Sequence, residues 1–480
     1  MTVYPDATCR FDTANDSTSK EANNYIKCSV TPHLERQLYV KRACHQIVMR
    51  THKRGPLYSD DTITVIRQNW FLILLIIVTL AQLVSPIAEL LGLISRTIPY
   101  KDPAVFQHGG WYITQGAIPY VDFWDVKPPL IYFLTAVLAI FSGGNMEILH
   151  ILSWTSSASA VIGISLVTGL IISKLTNDGL ASLVAGVTPL VLSQLYIVPR
   201  GGVYPQLFSL FFGILSIYTL LNERSFLSGI FSILATGFYY PEGIFVLLVI
   251  AIIVRDRDLE HLKYAVLGMM IAGLLILLPF IIWWDLTALF VETVLVSIFT
   301  EGSDPISTVM TVLQTLGPAI IVIPFGVVGW AKFDRFTHSE AWWIGLGSSL
   351  YTIWILFFGG VFLHIIGWVV FMSLGMGLLV AVISKNHAII ITVCVLLLIS
   401  TSLLWTLIGP SGLLVKDTHN QSIANSTVEA EKPDMRKIYW GKMTPESCHY
   451  RLSKREIRWI EITNAEYSDI SCGEWPKFSR

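Results

Sequence analysis

Charge is what this sequence has least of. Only 14% of its 480 residues are Asp, Glu, Lys or Arg, while 53% are hydrophobic. An ordinary soluble domain carries about 25% charged residues. The deficit falls in long apolar runs, which argues against a soluble globular chain and for a bilayer environment. A net charge of −1 gives no electrostatic reason to expect a nucleic-acid partner. Cysteine is scarce too, with six residues at positions 9, 28, 44, 394, 448 and 472. None form a Cys-x-x-Cys pair, so a zinc ribbon or a thioredoxin-type site has no support. The first long apolar run begins only near Asn69, so a short cleavable signal peptide is not expected at the start.

What is present suggests an all-α polytopic membrane protein. Residues 1–68 are polar, of mixed charge and without clear periodicity, and are expected to form a loosely folded cytosolic tail. Trp70 to Ile94 gives a first span, near the ~20 residues needed to cross. Ten further long apolar runs fall at 150–173, 179–198, 203–221, 226–240, 242–254, 264–284, 311–331, 341–358, 361–383 and 388–408. The run from Pro129 to Ser142 is short for a span, and such runs are often re-entrant or interfacial.

Charge asymmetry decides the orientation, because Lys and Arg concentrate in cytosolic loops. The basic turns lie at Lys174, Arg224, Arg255 to Lys263, Lys332 with Arg335, and Lys385. All of them join the side of the N-terminal tail only if 129–142 does not cross. About eleven spans then make up a transmembrane domain over 69–408, with a large first external loop at 95–149. The tail 409–480 becomes extracytoplasmic; it holds Asn-x-Ser/Thr sequons at Asn420 and Asn425. Its Cys448 and Cys472 are then placed either for a disulfide or as two separate thiols.

The first external loop is unusual in composition. It runs Tyr100-Lys-Asp-Pro-Ala-Val-Phe-Gln-His-Gly-Gly-Trp-Tyr and continues to Pro119-Tyr-Val-Asp-Phe-Trp-Asp-Val-Lys-Pro-Pro-Leu. Ionisable residues beside apolar helices are costly unless paired or used. Composition alone allows either a solvated loop with interfacial aromatics or a site.

This pattern resembles the first external loop of membrane glycosyltransferases that use polyprenyl-phosphate sugars, the GT-C fold. An Asp soon after the first span, followed by Pro-Tyr-x-Asp-x-Trp-Asp-x-Lys-Pro-Pro-Leu, is similar to the dolichyl-phosphate-mannose mannosyltransferases. The Lys-Pro-Pro signature is also similar to that of bacterial aminoarabinose transferases. Gln107-His-Gly-Gly-Trp-Tyr and Cys448-His-Tyr-Arg-Leu-Ser look most like the archaeal enzymes of S-layer N-glycosylation.

The resemblance implies roles for individual residues. Asp102 would be the base for an acceptor hydroxyl, although this chain has Asp-Pro where relatives have Asp-Glu. Asp122 and Asp125 would orient the acceptor or pin the loop, and Asp125 also suits a helix cap before the prolines. Lys127, His150 and Arg200 are the candidates for the lipid phosphate, with His150 standing where relatives carry Arg. Tyr239, Tyr240 and Glu242 would line the sugar pocket at another external turn, or serve as interface belt and cap. His364 and Trp368 stand at a later outer rim with a similar claim. No metal and no cofactor are expected. The partners implied are a polyprenyl-phosphate sugar donor, a glycan or glycoprotein acceptor and the lipid bilayer of the plasma membrane.

Asp256-Arg-Asp258 spells the Asp-x-Asp of nucleotide-sugar enzymes, but it lies in a short basic inner loop and reads as a solvated turn. A lipid-sugar transporter is the rival class. Transporters, however, place ionisable groups near the midplane of broken helices, whereas here they gather at the outer rim.

Overall fold

The computed structural model describes residues 9–12, 25–28, 61–91, 101–120, 123, 125–192, 194–283, 286–290, 293–294, 305–337, 341–358, 363–383 and 385–408. The tail 409–480, with Cys448 and Cys472, lies outside the described residues, as does Asp122. The chain divides into two compact units, Met1–Thr64 and Val65–Arg480. The first contains an antiparallel strand pair, β1 Cys9–Asp12 and β2 Tyr25–Cys28.

Helix α1, Asp61–Gln68, spans the division, and the described residues of the second unit are helical. Its elements include α2 Trp70–Leu90, α3 Lys101–Thr114, α4 Leu130–Phe141, α5 Met146–Thr176, α6 Gly179–Val187 and α7 Gln194–Ile197. They continue with α8 Pro205–Leu221, α9 Ser225–Phe238, α10 Ile244–Asp256, α11 Leu259–Trp283 and α12 Leu286–Phe290. The last are α13 Pro305–Leu316, α14 Val322–Thr337, α15 Trp342–Phe358, α16 Ile365–Val382 and α17 Lys385–Ile408.

Polar residues mark where helices turn. Asn145 caps α5 by accepting from the backbone N–H groups of Glu147 and Ile148. Asp178 caps α6 in the same way and also pairs with Arg67 at 3.6 Å, tying α1 to the α5–α6 turn. The helical chain therefore starts before the first apolar run, since Asn69 continues the hydrogen-bond ladder from Val65 to Ile73.

The core and the lipid-facing surface separate cleanly. Helix α16 is buried along most of its length, as a helix apolar on every face must be. It crosses α14 at glycines, where a Cβ on Gly375 would stand 2.1 Å from the Gly326 carbonyl oxygen. Small residues at such crossings let helix backbones approach in the absence of a hydrophobic drive. Helices α2, α11 and α17 instead expose Leu72, Ile76, Leu274, Leu275, Val393 and Leu397. Apolar surface of that extent marks a membrane-facing surface.

Among the described residues, six helices are long and apolar enough to cross a bilayer. A seventh appears if the pair Gly179–Val191 and Gln194–Gly201, bent by 86°, counts as one broken span. The molecule is thus a multi-pass helical membrane protein. Apolar runs expected as separate spans at 203–221 and 226–240 appear as the shorter helices α8 and α9. Helix α4 has 12 residues, about 18 Å at 1.5 Å per residue. That is well short of the ~30 Å hydrocarbon core. The segment read from sequence as the first external loop also contains α3, a 14-residue helix.

Candidate active site

The loop helices α3 and α4 form a tight pair because of Gly109-Gly110. A Cβ on Gly109 would come within 2.8 Å of the Tyr132 ring, and one on Gly110 within 2.5 Å of the Thr135 backbone. The Tyr132 ring joins the layers: it meets Phe106 at 5.9 Å, Phe123 at 5.0 Å and Tyr120 at 6.3 Å, all edge-on.

The start of α3 packs on the turn Pro199–Gly201 and the glycine after it. Gly202 has φ +116°, a conformation open to glycine, and a Cβ there would meet Gln107 Nε2 at 2.3 Å and Pro103 at 3.0 Å. Ser157 of α5 donates to the Gly202 carbonyl at 2.7 Å, which fixes the turn from the other side. Arg200 is buried in this turn. Gln107 Nε2 stands 3.3 Å from His150 Nδ1, one turn into α5. Asp102 belongs to the first turn of α3, next to Pro103; its side chain lies outside the described residues. One grouping therefore contains the Asp102 segment, Gln107, His150 and the Arg200 turn.

The second grouping surrounds Lys127. Asp125 Oδ1 accepts from the Lys127 backbone N–H at 3.0 Å, and the Tyr120 hydroxyl donates to the Lys127 carbonyl at 2.6 Å. Tyr120 is buried with φ +68°, a strained conformation for a bulky residue. Its backbone N–H to the Phe123 carbonyl, at 2.9 Å, helps hold it there. Asp125 thus acts on the backbone before the prolines, as a local cap does, and its carboxylate also bears electrostatically on Tyr240. The Lys127 ammonium stands 5.9 Å over the Tyr239 ring.

The turn at 239–243 is gripped on several sides. The Tyr239 hydroxyl is hydrogen-bonded to His364 Nε2, and Tyr240 to the Thr293 side chain. Glu242 is buried and accepts the Tyr351 hydroxyl. Trp368 Nε1 donates to Ser348 Oγ at 3.2 Å, joining α16 to α15. Of the residues singled out from sequence, Lys127, Asp125, Tyr239 and Tyr240 come together, and so do the Asp102 segment, His150 and Arg200. Glu242 faces Tyr351 in the protein interior. Gln107, Tyr120, Tyr132 and Tyr351 are added by the structure, through contacts that no sequence motif marks.

Three comparisons bear on what this arrangement is. Residues 116–278 match the family of DolP-mannose mannosyltransferases. The dolichol phosphate-mannose mannosyltransferase of Haloferax volcanii is 26% identical over 417 residues, covering 78% of this chain and 90% of that protein. ArnT from Cupriavidus metallidurans bound to undecaprenyl phosphate has a similar fold, with TM-score 0.52 and 12% identity over 82% of this chain and 72% of that one. The apo form of the same protein gives TM-score 0.50 and 12% identity over 69% of this chain and 64% of that one. The resemblance read from the first external loop is therefore matched by similarity to the DolP-mannose mannosyltransferases, and the fold is similar to that of ArnT.

Proposed function

We propose that this protein transfers mannose from dolichyl phosphate mannose to a hydroxyl of an external glycan, at the terminal position of a protein N-glycan. The observation that carries this reading is the packing of the Asp102 helix, α3, onto the Arg200 turn and His150, with Lys127 held on the adjoining loop. The acceptor hydroxyl gives its proton to Asp102, and its oxygen attacks the anomeric carbon. The bond from that carbon to the phosphate oxygen breaks, and dolichyl phosphate leaves with the electron pair. A single displacement inverts the anomeric configuration. Lys127, Arg200 and His150 stabilise the charge that builds on the leaving phosphate. Asp122 and Asp125 orient the acceptor side of the loop, with Tyr239 and Tyr240 beside the sugar. This chemistry needs no cofactor and no metal.

The test is transfer of labelled mannose from dolichyl phosphate mannose to glycan acceptor by membranes carrying the protein. Labelled product one hexose longer is expected; its absence with both substrates present would falsify the reading. Lys127→Ala should lower kcat/KM for the donor by about 10- to 100-fold, the range of a charge-assisted hydrogen bond. Unchanged donor use would remove Lys127 from the phosphate site.

We also place the site on the outer face of the plasma membrane, with about eleven crossings and the tail 409–480 outside. The 12-residue length of α4 supports this, because it removes one crossing before the basic turns. Cys448 and Cys472 would then be bridged. A cysteine introduced between Arg255 and Lys263 should react in intact cells only with a membrane-permeant reagent. Labelling by an impermeant reagent would reverse the orientation.

A further inference from the structure

Lys127 is a point charge on a four-carbon stem, and a phosphate contact needs that stem held in place. Its ammonium lies over the Tyr239 ring. Tyr239 in turn follows α9 and leads into the Tyr240–Gly243 turn, so something must hold its ring still. The His364 ring does so, hydrogen-bonded to the Tyr239 hydroxyl with ring centroids 5.5 Å apart. His364 is the N-cap residue of α16, a helix buried along most of its length.

The same end of α16 also anchors the far end of the turn. Gly367 leaves room for the Tyr351 ring, which a Cβ would meet at 2.4 Å. The Tyr351 hydroxyl then reaches the buried Glu242 carboxylate. Trp368, on the same turn of α16, is tied to Ser348. The turn bearing Tyr239 is therefore fastened at one end to the start of the buried helix α16 and at the other to α15.

We propose that His364 is a positioning residue for Lys127, acting through Tyr239. The chain His364–Tyr239–Lys127 carries the rigidity of the buried bundle to the cation that meets the donor's phosphate. This inference rests on the functional reading above. It makes donor binding sensitive to a residue that touches neither substrate, and it gives Tyr239 a role on the donor side.

The experiment is a double-mutant cycle on the full-length protein, read out as KM for dolichyl phosphate mannose, KM for the glycan acceptor, and affinity for dolichyl phosphate alone in detergent. Tyr239→Phe keeps the ring and removes the link to His364; His364→Gln keeps a side chain that can hydrogen-bond, and His364→Ala does not. Tyr239→Phe and His364→Ala should each raise donor KM by about three- to tenfold, the range of a cation–π contact. Acceptor KM should not change, and His364→Gln should recover part of the loss. In a Lys127→Ala background, His364→Ala should add nothing, because residues acting through one another are not additive. Additive losses, or a change confined to acceptor KM, would overturn the inference while wild-type transfer keeps the function intact. If wild type neither transfers mannose nor binds dolichyl phosphate, the functional reading itself fails. If His364→Ala does not accumulate, Tyr239→Phe carries the same cycle with Lys127→Ala.

Discussion

Replacing Asp102 by Asn should leave the protein in the membrane at its normal level and reduce mannosyl transfer by about 10²- to 10⁴-fold, the usual contribution of a general base. The amide preserves size and most hydrogen bonding but cannot accept the acceptor's proton. Asp102 sits in the first turn of α3, and the adjoining Pro103 is packed on Gly202. Its backbone is thus fixed against the same turn that carries Arg200, a candidate for the departing phosphate. The loss should appear in kcat, because the base acts in the transition state rather than in binding either substrate. The matched control is Asp256→Asn, at the end of α10. Its neighbour Asp258 serves as a cap, accepting from the His261 backbone N–H at 3.0 Å and meeting its ring nitrogen at 2.6 Å. Those contacts, the backbone one foremost, hold the Asp258 carboxyl below the usual carboxylate range. A side chain committed to capping on a short basic loop is no sugar-nucleotide site, so Asp256→Asn should change transfer little. Near-wild-type activity from Asp102→Asn with loss in Asp256→Asn would put the chemistry on the opposite face.

How much of this could be read from the sequence depended on whether a feature was set by local pattern or by tertiary contact. The long apolar runs were legible because the bilayer imposes length and composition on each crossing. Their division into helices was less so, since α8 and α9 are shorter than their runs suggest and the segment 179–201 bends sharply. Lys127 and Asp102 were found through a resemblance in the loop, and no periodicity pointed to them. Helix α3 was not anticipated, because two adjacent glycines lower helix propensity by about 1 kcal/mol each relative to Ala. The glycines are there for a contact with α4 that lies 23 to 26 residues further along the chain. Tyr120 was invisible for a related reason. A left-handed tyrosine has no sequence signature, and only the Lys127 carbonyl and the Phe123 pairing account for it. Likewise Glu242 looked like a rim residue until Tyr351, more than a hundred positions away, was found to meet its carboxylate.

Gly110→Ala tests whether that close contact sets the geometry of the site. By propensity alone the change should help, since Ala favours a helix over Gly by about 1 kcal/mol. The packing predicts the reverse. A methyl group on Gly110 would stand 2.3 Å from Thr135 Oγ1, 2.5 Å from the Thr135 carbonyl carbon and 2.6 Å from the Ala136 nitrogen. Two of these are backbone atoms of α4, which no rotamer change can move aside. Overpacking of this kind costs about 1–3 kcal/mol, and the strain is relieved by pushing α3 away from α4. Asp102 is eight residues earlier on the same helix, about 12 Å along its axis. A shift of the helix therefore displaces the base, and a misplacement of about 1 Å can cost on the order of 10²-fold in rate. Gly110→Ala should accordingly lose about that much transfer along with some thermal stability. Gly273 of α11 supplies the contrast, because a Cβ there meets nothing within 4 Å. Gly273→Ala should leave activity unchanged and be neutral or slightly stabilising, by up to about 1 kcal/mol. Equal, wild-type behaviour of both variants would show that α3 is not held to α4 by its glycines and that Asp102 is positioned by other contacts.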